Sequence, residues 1–354
     1  MQIYSIDIKN FMIFNSLNLE FSPNINIICG ENSTGKTALI KLLYSCLKGY
    51  SNACTTKGSI TKEKLESMLV SKLQGVFRPD RDVIGRLVNR KQGSNRADIV
   101  VNFDNAYDLK FGFGNRKEKH IEIINNEFID LDKMTPVYIP PKEIISSTEN
   151  FGSLYDDYHI SFEETYYDLT RLLERPLKKD DDRAEQNAVM KSFGKIVNGS
   201  IIQKDRKFYL MVKGQVEFEM GLVSEGYRKL STIMYLILSG SLSENSILFW
   251  DEPETNMNPK MIRPIVEAII ELAKMGVQIF ITTHDYFIQQ CFNMAATYNN
   301  MANNHLKYNF ISLYHTEDGI NGETVHDLSE LDHNAIMEEF DDLYDREQEM
   351  LYDN

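Results

Sequence analysis

The segment GENSTGKT, residues 30–37, constrains the possible fold more than any other part of this 354-residue chain. Two glycines separated by four residues and followed by lysine and threonine are typical of a loop whose backbone N–H groups surround phosphate oxygens. The preceding INIICG predicts a buried strand, and the following ALIKLLYSCL places its leucines on one face of a helix. Because a helix N-terminus favours anions, this order of strand, loop and helix favours phosphate binding over an ordinary glycine-bearing surface turn.

The side chains of this loop predict how a nucleotide would be held. Lys36 is expected to reach the outer phosphates, and the hydroxyl of Thr37 is expected to bind Mg²⁺. The predicted cofactors are therefore ATP and Mg²⁺. The residues that we expect to hold ATP in this loop are Gly30, Asn32, Ser33, Thr34, Gly35, Lys36, Thr37 and Ala38.

The charge of the chain is unevenly distributed. Its formal net charge is −14, and residues 316–354 contain fourteen acidic residues but one basic residue, which leaves about −1 on the rest of the chain. A protein that coats nucleic acid or anionic membrane needs a basic surface, so a whole-surface role of that kind is excluded. The nearly neutral body can still carry a local basic patch.

The cysteines and the hydropathy pattern favour a cytoplasmic protein. None of the four cysteines forms a C-x-x-C pair, and one lies in the strand before the phosphate loop. The N-terminal MQIYSIDIKNF alternates like a strand and has neither a basic region nor an apolar run typical of a signal peptide. No run approaches eighteen apolar residues, so we expect no membrane partner.

The composition suggests one large domain or two closely joined ones, in four parts. We expect an N-terminal lobe at 1–150 that contains the phosphate loop and a basic helical insertion at 48–96. A helical lobe at 151–200, a C-terminal lobe at 201–326 and an acidic C-terminal helix at 327–354 complete the chain. In the last third, helices alternate with strands as in a βαβ unit with a parallel sheet.

Two further strands of that sheet end in polar residues. The buried strand ILFW is followed by Asp251-Glu252-Pro253-Glu254, and VQIFIT is followed by Thr283-His284-Asp285. Ligands of parallel sheets bind at the carboxyl ends of strands, so we expect Asp251 to hold Mg²⁺ and Glu252 to act as general base. His284 is expected to contact the γ-phosphate. Read alone, the acids could be a solvated strand end and the histidine a structural residue.

A third group of residues precedes a helix in the same third of the chain. Ser224-Glu225-Gly226 places a small hydroxyl and a bare backbone at a positive helix N-terminus. By itself this pattern indicates a serine N-cap. With the phosphate loop and the acids, it indicates a second group for binding ATP.

The ordered set GENSTGKT, S-E-G, D-E-P-E and T-H-D resembles the ATP-binding-cassette class of P-loop ATPases. IDIKNFMIF and INIICGENSTGKT resemble the SMC-like branch of that class. YIPPKE, VSEGYRKL and FWDEPETNMNP resemble the OLD-family-like AAA ATPases found in bacterial defence systems. The likeness spans most of residues 1–290. It implies an α/β head with a mixed N-terminal β lobe, a central parallel sheet flanked by helices, and a helical lobe.

The resemblance also implies a site shared between two copies. In a face-to-face homodimer, Ser224 and Gly226 of one copy would contact the γ-phosphate held by the other. Asn256 and Asn258 would lie in the loop that crosses the dimer seam. Lys142 or Glu143 would occupy the region where related enzymes place a glutamine near Mg²⁺. Ser33 stands where a glycine is common in the family.

The leading functional interpretation is an ATP-driven switch that controls a separate effector, such as a nuclease, in defence against phage. Only seventy residues follow His284, too few for the nuclease domain that OLD proteins often carry. The alternative is a RecF-like DNA-repair ATPase, with a basic cluster as its DNA contact; a solvated surface or a contact for acidic partners is an equally good reading of that cluster. A transporter subunit is disfavoured, since transporters usually have Ser-Gly-Gly in place of Ser-Glu-Gly. The residues of the basic cluster are Arg78, Arg81, Arg86, Arg90, Lys91 and Arg96.

The acidic C-terminus predicts an amphipathic helix. Ile336, Phe340, Leu343 and Tyr344 fall on one stripe with acidic residues around it. The helix could pack on its own head, dock an effector or mimic nucleic acid, and the sequence leaves these readings open.

Overall fold

The structure is a computed structural model. It describes residues 2–55, 59–90, 93–103, 107–116, 119–125, 134–158, 160–178, 186–214, 216–298 and 305–352. Fourteen strands and nine α-helices are defined within these ranges. The strands form three sheets, which the helices cover and connect.

The central sheet has six strands in the order β14-β13-β3-β12-β11-β7. Its strands are parallel except at the edge, where β14 runs antiparallel to β13. Its strands are β3 (Ile25–Gly30), β7 (Thr135–Ile139), β11 (Ser246–Asp251), β12 (Gln278–Thr282), β13 (Tyr308–Thr316) and β14 (Gly319–Val325). The predicted central parallel sheet is therefore confirmed. Its strands come from both ends of the chain. The predicted lobe boundary at residue 150 therefore divides the sequence but not the central sheet.

The second sheet is antiparallel, with the order β2-β1-β4-β5-β6. It comprises β1 (Ile3–Phe11), β2 (Phe14–Glu20), β4 (Arg96–Phe103), β5 (Tyr107–Gly114) and β6 (Glu122–Ile123). A third, small sheet joins β8 (Gly199–Lys204), β9 (Lys207–Val212) and β10 (Glu217–Glu219). The alternating buried positions of β4 follow from packing of only one face.

The helix that follows the phosphate loop, α1 (Lys36–Thr55), lies in the core shared by the central and antiparallel sheets. The predicted leucine stripe is buried, and the stripe continues through Tyr50 and Ala53. The segment 48–96, predicted as a basic helical insertion, begins within the last turns of α1. The rest of that segment contains α2 (Lys62–Phe77), which ends in a left-handed residue, Arg78, and two short 3₁₀ turns.

Six further helices cover the opposite face of the central sheet or connect its strands. They are α3 (Phe151–Tyr158), α4 (Glu164–Leu173), α5 (Gln186–Val197), α6 (Glu225–Leu238), α7 (Pro259–Lys274) and α8 (Tyr286–Thr297). The last helix, α9 (Ala335–Tyr352), follows the last strand and has no buried residue. Lys72 of α2 is buried and forms ion pairs with Glu164 and Asp168 of α4, at 2.6 and 2.8 Å. This charged contact joins the predicted insertion to the helical lobe.

The acidic C-terminal segment, predicted as a helix over 327–354, contains α9 over Ala335–Tyr352. A 3₁₀ turn at Leu328–Glu330 precedes α9, and none of the residues of α9 is buried. Of the predicted stripe, Phe340 is 49% exposed and contacts the ring of Tyr286 at 4.7 Å. The helix therefore contacts its own head at Phe340. Among the described residues, no helix combines the length and apolarity required to cross a bilayer.

Candidate functional site

The candidate site forms where three neighbouring parallel strands end. Strands β3, β12 and β11 are adjacent in the central sheet, and their carboxyl ends lead into the phosphate loop, His284 and Asp251-Glu252. Residues separated by more than two hundred positions in sequence therefore meet at one edge. This is the edge at which ligands of parallel sheets bind.

The conformation of the phosphate loop depends on its glycines. Gly30 has φ 137°, and a Cβ there would lie 2.1 Å from the carbonyl oxygen of Leu313 on β13. Gly35 has φ 92°, and its Cβ would lie 2.6 Å from the ring of Phe14. Ser33, which stands where glycine is common in related loops, also has a positive φ of 65°. A positive φ is strained for serine. At Gly30 and Gly35 a side chain would also clash with its neighbours, so only glycine fits at those two positions.

Lys36 is buried at the start of α1, and its ammonium group points back into the loop. Its Nζ donates to the carbonyl oxygens of Gly30 and Glu31 at 2.8 and 2.6 Å. Burial lowers the pKa of Lys36 to about 8. A bound phosphate would offset this desolvation, so the arrangement fits a lysine that receives an anion.

Asp251 is 1% exposed and is held by three hydroxyl groups. Thr37 and Thr282 donate to its Oδ1 at 3.0 and 2.5 Å, and Tyr138 donates to its Oδ2 at 2.9 Å. Burial raises the pKa of Asp251, and the three hydrogen bonds oppose that rise. The pairing with Thr37 brings together the two predicted Mg²⁺ ligands.

Glu252 follows in an unusual backbone conformation, with φ 45°. Its N–H donates to Thr282, its Oε2 accepts from Thr255 at 3.1 Å, and its Oε1 lies 3.2 Å from Nε2 of His284. Burial, and then the charge of Lys36, lower the pKa of His284. A neutral imidazole that donates from Nε2 to the carboxylate matches these surroundings.

Glu254 accepts a hydrogen bond from the backbone of His284. Its Oε1 accepts from the hydroxyl of Thr283 and the backbone N–H of His284, both at 2.8 Å. Burial raises the pKa of Glu254 to about 7. Its second oxygen, Oε2, is buried without a hydrogen-bond partner. Glu254 therefore orders the loop that carries His284 while retaining unsatisfied acceptor capacity.

A cavity of about 620 Å³ lies beside these groups, a size that suits a nucleotide. The residues that line it are Met12, Ile13, Asn32, Ser33, Gly35, Lys36, Thr37, Ala38, Lys41, Phe77, Glu252 and His284. Gly30 and Thr34 lie in the same loop but do not line this cavity; Thr34 is buried and donates to the carbonyl oxygen of Glu31.

Mg²⁺ fits the donor set of this site. Among the described residues, no cluster of three or more His, Cys, Asp or Glu could enclose a metal. Mg²⁺ needs no such cluster, because it retains waters and takes one or two protein oxygens plus phosphate oxygens. Thr37 and Asp251 supply two such oxygens beside the phosphate loop.

Ser224, Glu225 and Gly226 lie at the N-terminus of α6, away from this cavity. None of the three lines it. Ser224 is at the N-cap position and exposed, but its side chain forms no capping hydrogen bond, so the simple N-cap interpretation does not account for it. Glu225 accepts a hydrogen bond from Asn256 at 3.4 Å. The N-terminus of α6 thus adjoins the loop after Glu252.

The region after β7 provides no direct group at the cavity. Glu143 is paired with Arg228 of α6 and with Ser146, and neither Lys142 nor Glu143 lines the cavity. Sequence reasoning had considered these two residues for the position near Mg²⁺. The ion pair of Glu143 with Arg228 instead joins the loop after β7 to α6.

The basic cluster is largely paired where the structure describes it. Arg86 pairs with Asp80, and Arg96 pairs with Asp98 and Glu122. Arg78 donates to the carbonyl oxygen of Phe162. In the described part of the chain, Arg81 and Arg90 are exposed and form no ion pair, and Lys91 lies outside the described residues.

Sequence reasoning missed three contributors to the site. Tyr138 and Thr282 hold Asp251, and Glu254 holds the backbone of His284. Glu254 and Thr282 lie inside recognised motifs, which was a usable signal. Tyr138 lies 113 positions from Asp251, and nothing in its local sequence distinguishes it from a core tyrosine.

The phosphate loop and the α/β fold together place the chain among P-loop proteins with an ABC- and SMC-like head. The chain belongs to the family described as "AAA domain, putative AbiEii toxin, Type IV TA system", which matches residues 25–288.

Solved structures show the same fold. A structure titled as the SmcHead bound to the C-winged helix domain of ScpA is similar, with a TM-score of 0.56, 12% identity, and coverage of 92% of this chain and 98% of that chain. An Smc head domain with an extended coiled coil, bound to a ScpA domain derived from Pyrococcus furiosus, gives a TM-score of 0.51 at 11% identity, with coverage of 92% and 96%. These likenesses confirm the predicted α/β head.

Curated relatives match over shorter segments. The DNA replication and repair protein RecF of Lachnoclostridium phytofermentans is 38% identical over 69 residues, which cover 19% of this chain and 18% of that protein. Structural maintenance of chromosomes protein 6 of Dictyostelium discoideum is 32% identical over 87 residues, covering 22% of this chain and 7% of that protein. The chain thus spans less than a fifth of the length of either relative.

Proposed function

We propose that this protein binds ATP with Mg²⁺ between the phosphate loop and the acids after β11, and hydrolyses it. The observation that carries the proposal is the hydrogen bond of 3.0 Å between Thr37 and Asp251, beside a cavity that both Lys36 and Glu252 line. Thr37 and Asp251 would hold Mg²⁺, which would supply positive charge beside the outer phosphates. Lys36 would exchange its contacts with the carbonyl oxygens of Gly30 and Glu31 for phosphate oxygens.

Glu252 acts in this proposal as the general base that polarises the attacking water. Its carboxylate lines the cavity, and its contacts with Thr255 and His284 fix its orientation. His284 contacts the γ-phosphate in this proposal. Burial lowers the pKa of His284, so its ring is neutral and has one N–H, which would be shared between Glu252 and a phosphate oxygen when ATP is bound.

The same proposal assigns Ser224 and Gly226 to the nucleotide of a second copy. The support is that Ser224 is exposed at the N-terminus of α6, that its side chain does not cap its own helix, and that neither residue lines the cavity of its own chain. A helix N-terminus with a free hydroxyl is suited to a phosphate. ATP binding would therefore close two copies into a homodimer, and hydrolysis would release them.

We further propose that this switch controls a separate effector, such as a nuclease, in defence against phage. The family description, with its toxin and toxin–antitoxin terms, and the OLD-like sequence stretches support this assignment. A cytoplasmic location belongs to the same proposal and is consistent with the four free cysteines.

A second candidate is a DNA-repair ATPase of the RecF type. The match to RecF proteins favours it, and so do Arg81 and Arg90, which remain available for phosphate contacts. This second candidate function uses the same ATP site and differs from the first only in its partner, which is DNA. DNA binding therefore separates the two candidates.

The shared site can be tested by mixing two inactive variants. Lys36→Ala removes the ammonium group in the phosphate loop, and Ser224→Arg fills the space at the helix end. If the site is shared, a mixed dimer contains one intact pair, so the mixture recovers about one quarter of wild-type ATPase activity. Activity is measured by phosphate release at equal protein concentration.

A control measurement of ATP binding defines the outcome. Ser224→Arg alone should still bind a fluorescent ATP analogue, since its phosphate loop is intact. If Ser224→Arg alone keeps full turnover, or if the mixture recovers nothing while both variants remain folded, the shared site is refuted.

A further inference from the structure

The acidic helix α9 begins beside the phosphate loop. Gly30, Glu31, Asn32 and His284 line one side of a cavity of about 390 Å³, and the first turns of α9 line the other. Just before the helix, Asn334 is buried and donates to Gln289 of α8 at 3.0 Å. The start of α9 is thus fixed to the head, next to the face where nucleotide binds.

The later turns of α9 carry exposed apolar side chains among acidic ones. At 18 residues, the helix is about 27 Å long. Its apolar stripe continues past the contact with Tyr286, and its later members are mostly exposed: Leu343 52%, Tyr344 61%, Leu351 64% and Tyr352 83%. Seven acidic residues and one arginine give the helix a net charge of −6. An exposed apolar stripe surrounded by acids is suited to a surface that is partly apolar and basic.

Such a surface exists on this chain around Ser224. Leu222, two residues before it, is 77% exposed. The start of α7 adjoins the same point, because a Cβ on Gly226 would lie 3.3 Å from both Met257 and Met261.

The start of α7 is basic. Lys260 and Arg263 are exposed, and the first turn contains no acidic residue. Within the described residues, Lys260 forms no ion pair, and Arg263 pairs only with Glu267, with side chains 81% and 50% exposed. Such surface pairs contribute little and can be exchanged. The positive end of the α7 dipole adds to this charge.

We propose that α9 of one copy packs against the start of α7 and Leu222 of a second copy in the ATP-closed dimer. This inference rests on the proposed shared site: the face around Ser224 closes over the phosphate loop, and α9 stands at the edge of that loop. The acidic face of α9 then meets Lys260 and Arg263, and its exposed apolar stripe meets Leu222. The contact would add to the nucleotide-mediated interface and would occur twice in a symmetric dimer.

A charge-swap experiment tests the contact in the Glu252→Gln background, in which ATP should hold the dimer closed. One variant carries Asp342→Lys, Asp345→Lys and Glu349→Lys, which share one face of α9 and do not line the cavity at the phosphate loop. The other carries Lys260→Glu and Arg263→Glu. Each variant alone should dimerise about tenfold more weakly with ATP than the parent, because like charges meet at both contacts.

Mixing the two variants should restore dimerisation, because every contact in the mixed dimer joins opposite charges. Differently tagged copies and native mass spectrometry measure the proportion of mixed dimers. The control is Lys274→Glu at the opposite end of α7, which should dimerise like the parent. Nucleotide affinity of the separate monomers is measured alongside, so that a change at the phosphate loop is detected.

The outcomes distinguish this inference from the proposed function. If the Glu252→Gln parent forms no dimer with ATP, the shared site itself fails. If the parent dimerises but the variants dimerise equally well, or their mixture gives mixed and unmixed dimers in the statistical ratio, the α9 contact is wrong and the shared site stands.

Discussion

Replacement of Tyr138 by phenylalanine tests how the Mg²⁺ carboxylate is positioned. Tyr138 is 1% exposed, and its hydroxyl is 2.9 Å from Oδ2 of Asp251. The change removes one oxygen and leaves the ring in place, so packing against Tyr44 is retained. The buried Oδ2 then loses the donor that fixes it. A hydrogen bond to a charged group contributes about 1.5–3 kcal/mol, and that is the expected loss in free energy of unfolding.

Tyr44→Phe is a matched control. Its hydroxyl also donates to a buried carboxylate, that of Asp168 at 2.6 Å, but Asp168 keeps its ion pair with Lys72. We expect a comparable or smaller loss of stability in urea unfolding. Only Tyr138→Phe should weaken Mg²⁺-dependent ATP binding, by about tenfold or more, as is typical when a partner of a metal ligand is removed.

The assay is titration of Mg²⁺ into each variant with a fluorescent ATP analogue, below the temperature at which either variant unfolds. Binding without Mg²⁺ should be equal in the two variants, because Lys36 and the loop backbone are unchanged. Equal Mg²⁺ dependence of Tyr138→Phe and Tyr44→Phe would refute the reasoning, since it would mean that Asp251 holds its orientation through Thr37 and Thr282 alone.

Three further outcomes follow from the site. Lys36→Ala should abolish ATP binding in a filter or fluorescence assay, and unchanged affinity would contradict the predicted phosphate contact. Glu254 takes up a proton on folding between its ordinary pKa and about 7, so wild-type stability falls as pH rises through that window. Glu254→Gln should therefore be more stable than wild type by up to about 3 kcal/mol above pH 7 in thermal unfolding, with a gain that shrinks towards pH 5; a constant difference would exclude this cause. Finally, replacing both Arg81 and Arg90 by Glu should sharply reduce any DNA binding and its salt dependence, and unaffected DNA binding would count against the repair interpretation.

The parts of this protein that could be predicted from its sequence are those fixed by local patterns. The strand before the phosphate loop spans Ile25–Gly30 as predicted, because six buried residues in succession end at a glycine that must adopt a positive φ. The proximity of Thr37 and Asp251 could also be predicted, because the carboxyl ends of parallel strands lie at the same edge of a sheet.

What could not be predicted depends on side chains that meet across the fold. Tyr138 and the buried Lys72 contact partners about a hundred positions away, and their local sequences are those of an ordinary core tyrosine and an ordinary surface lysine. The placement of α9 beside the phosphate loop likewise depends on the anchor at Asn334, which carries no pattern of its own. Hydrophobic periodicity identifies which face of a helix or strand is buried. It does not identify which other helix or strand packs against that face.

The charges around the nucleotide site give a physical reason for a second copy. The described residues that line the larger cavity include two lysines, and Lys41 is already paired with Glu163 at 2.7 Å. Lys36 must therefore balance a triphosphate in a region that also contains Asp251, Glu252 and the acidic α9. Among the described residues, the lining of that cavity includes no other cation, and the proposed Mg²⁺ would supply part of the missing positive charge. The start of α7 is basic, and the N-terminal dipole of α6 adds positive charge there despite Glu225 in the first turn of α6. Closing two copies on each other would place this charge over the phosphates of the proposed ATP.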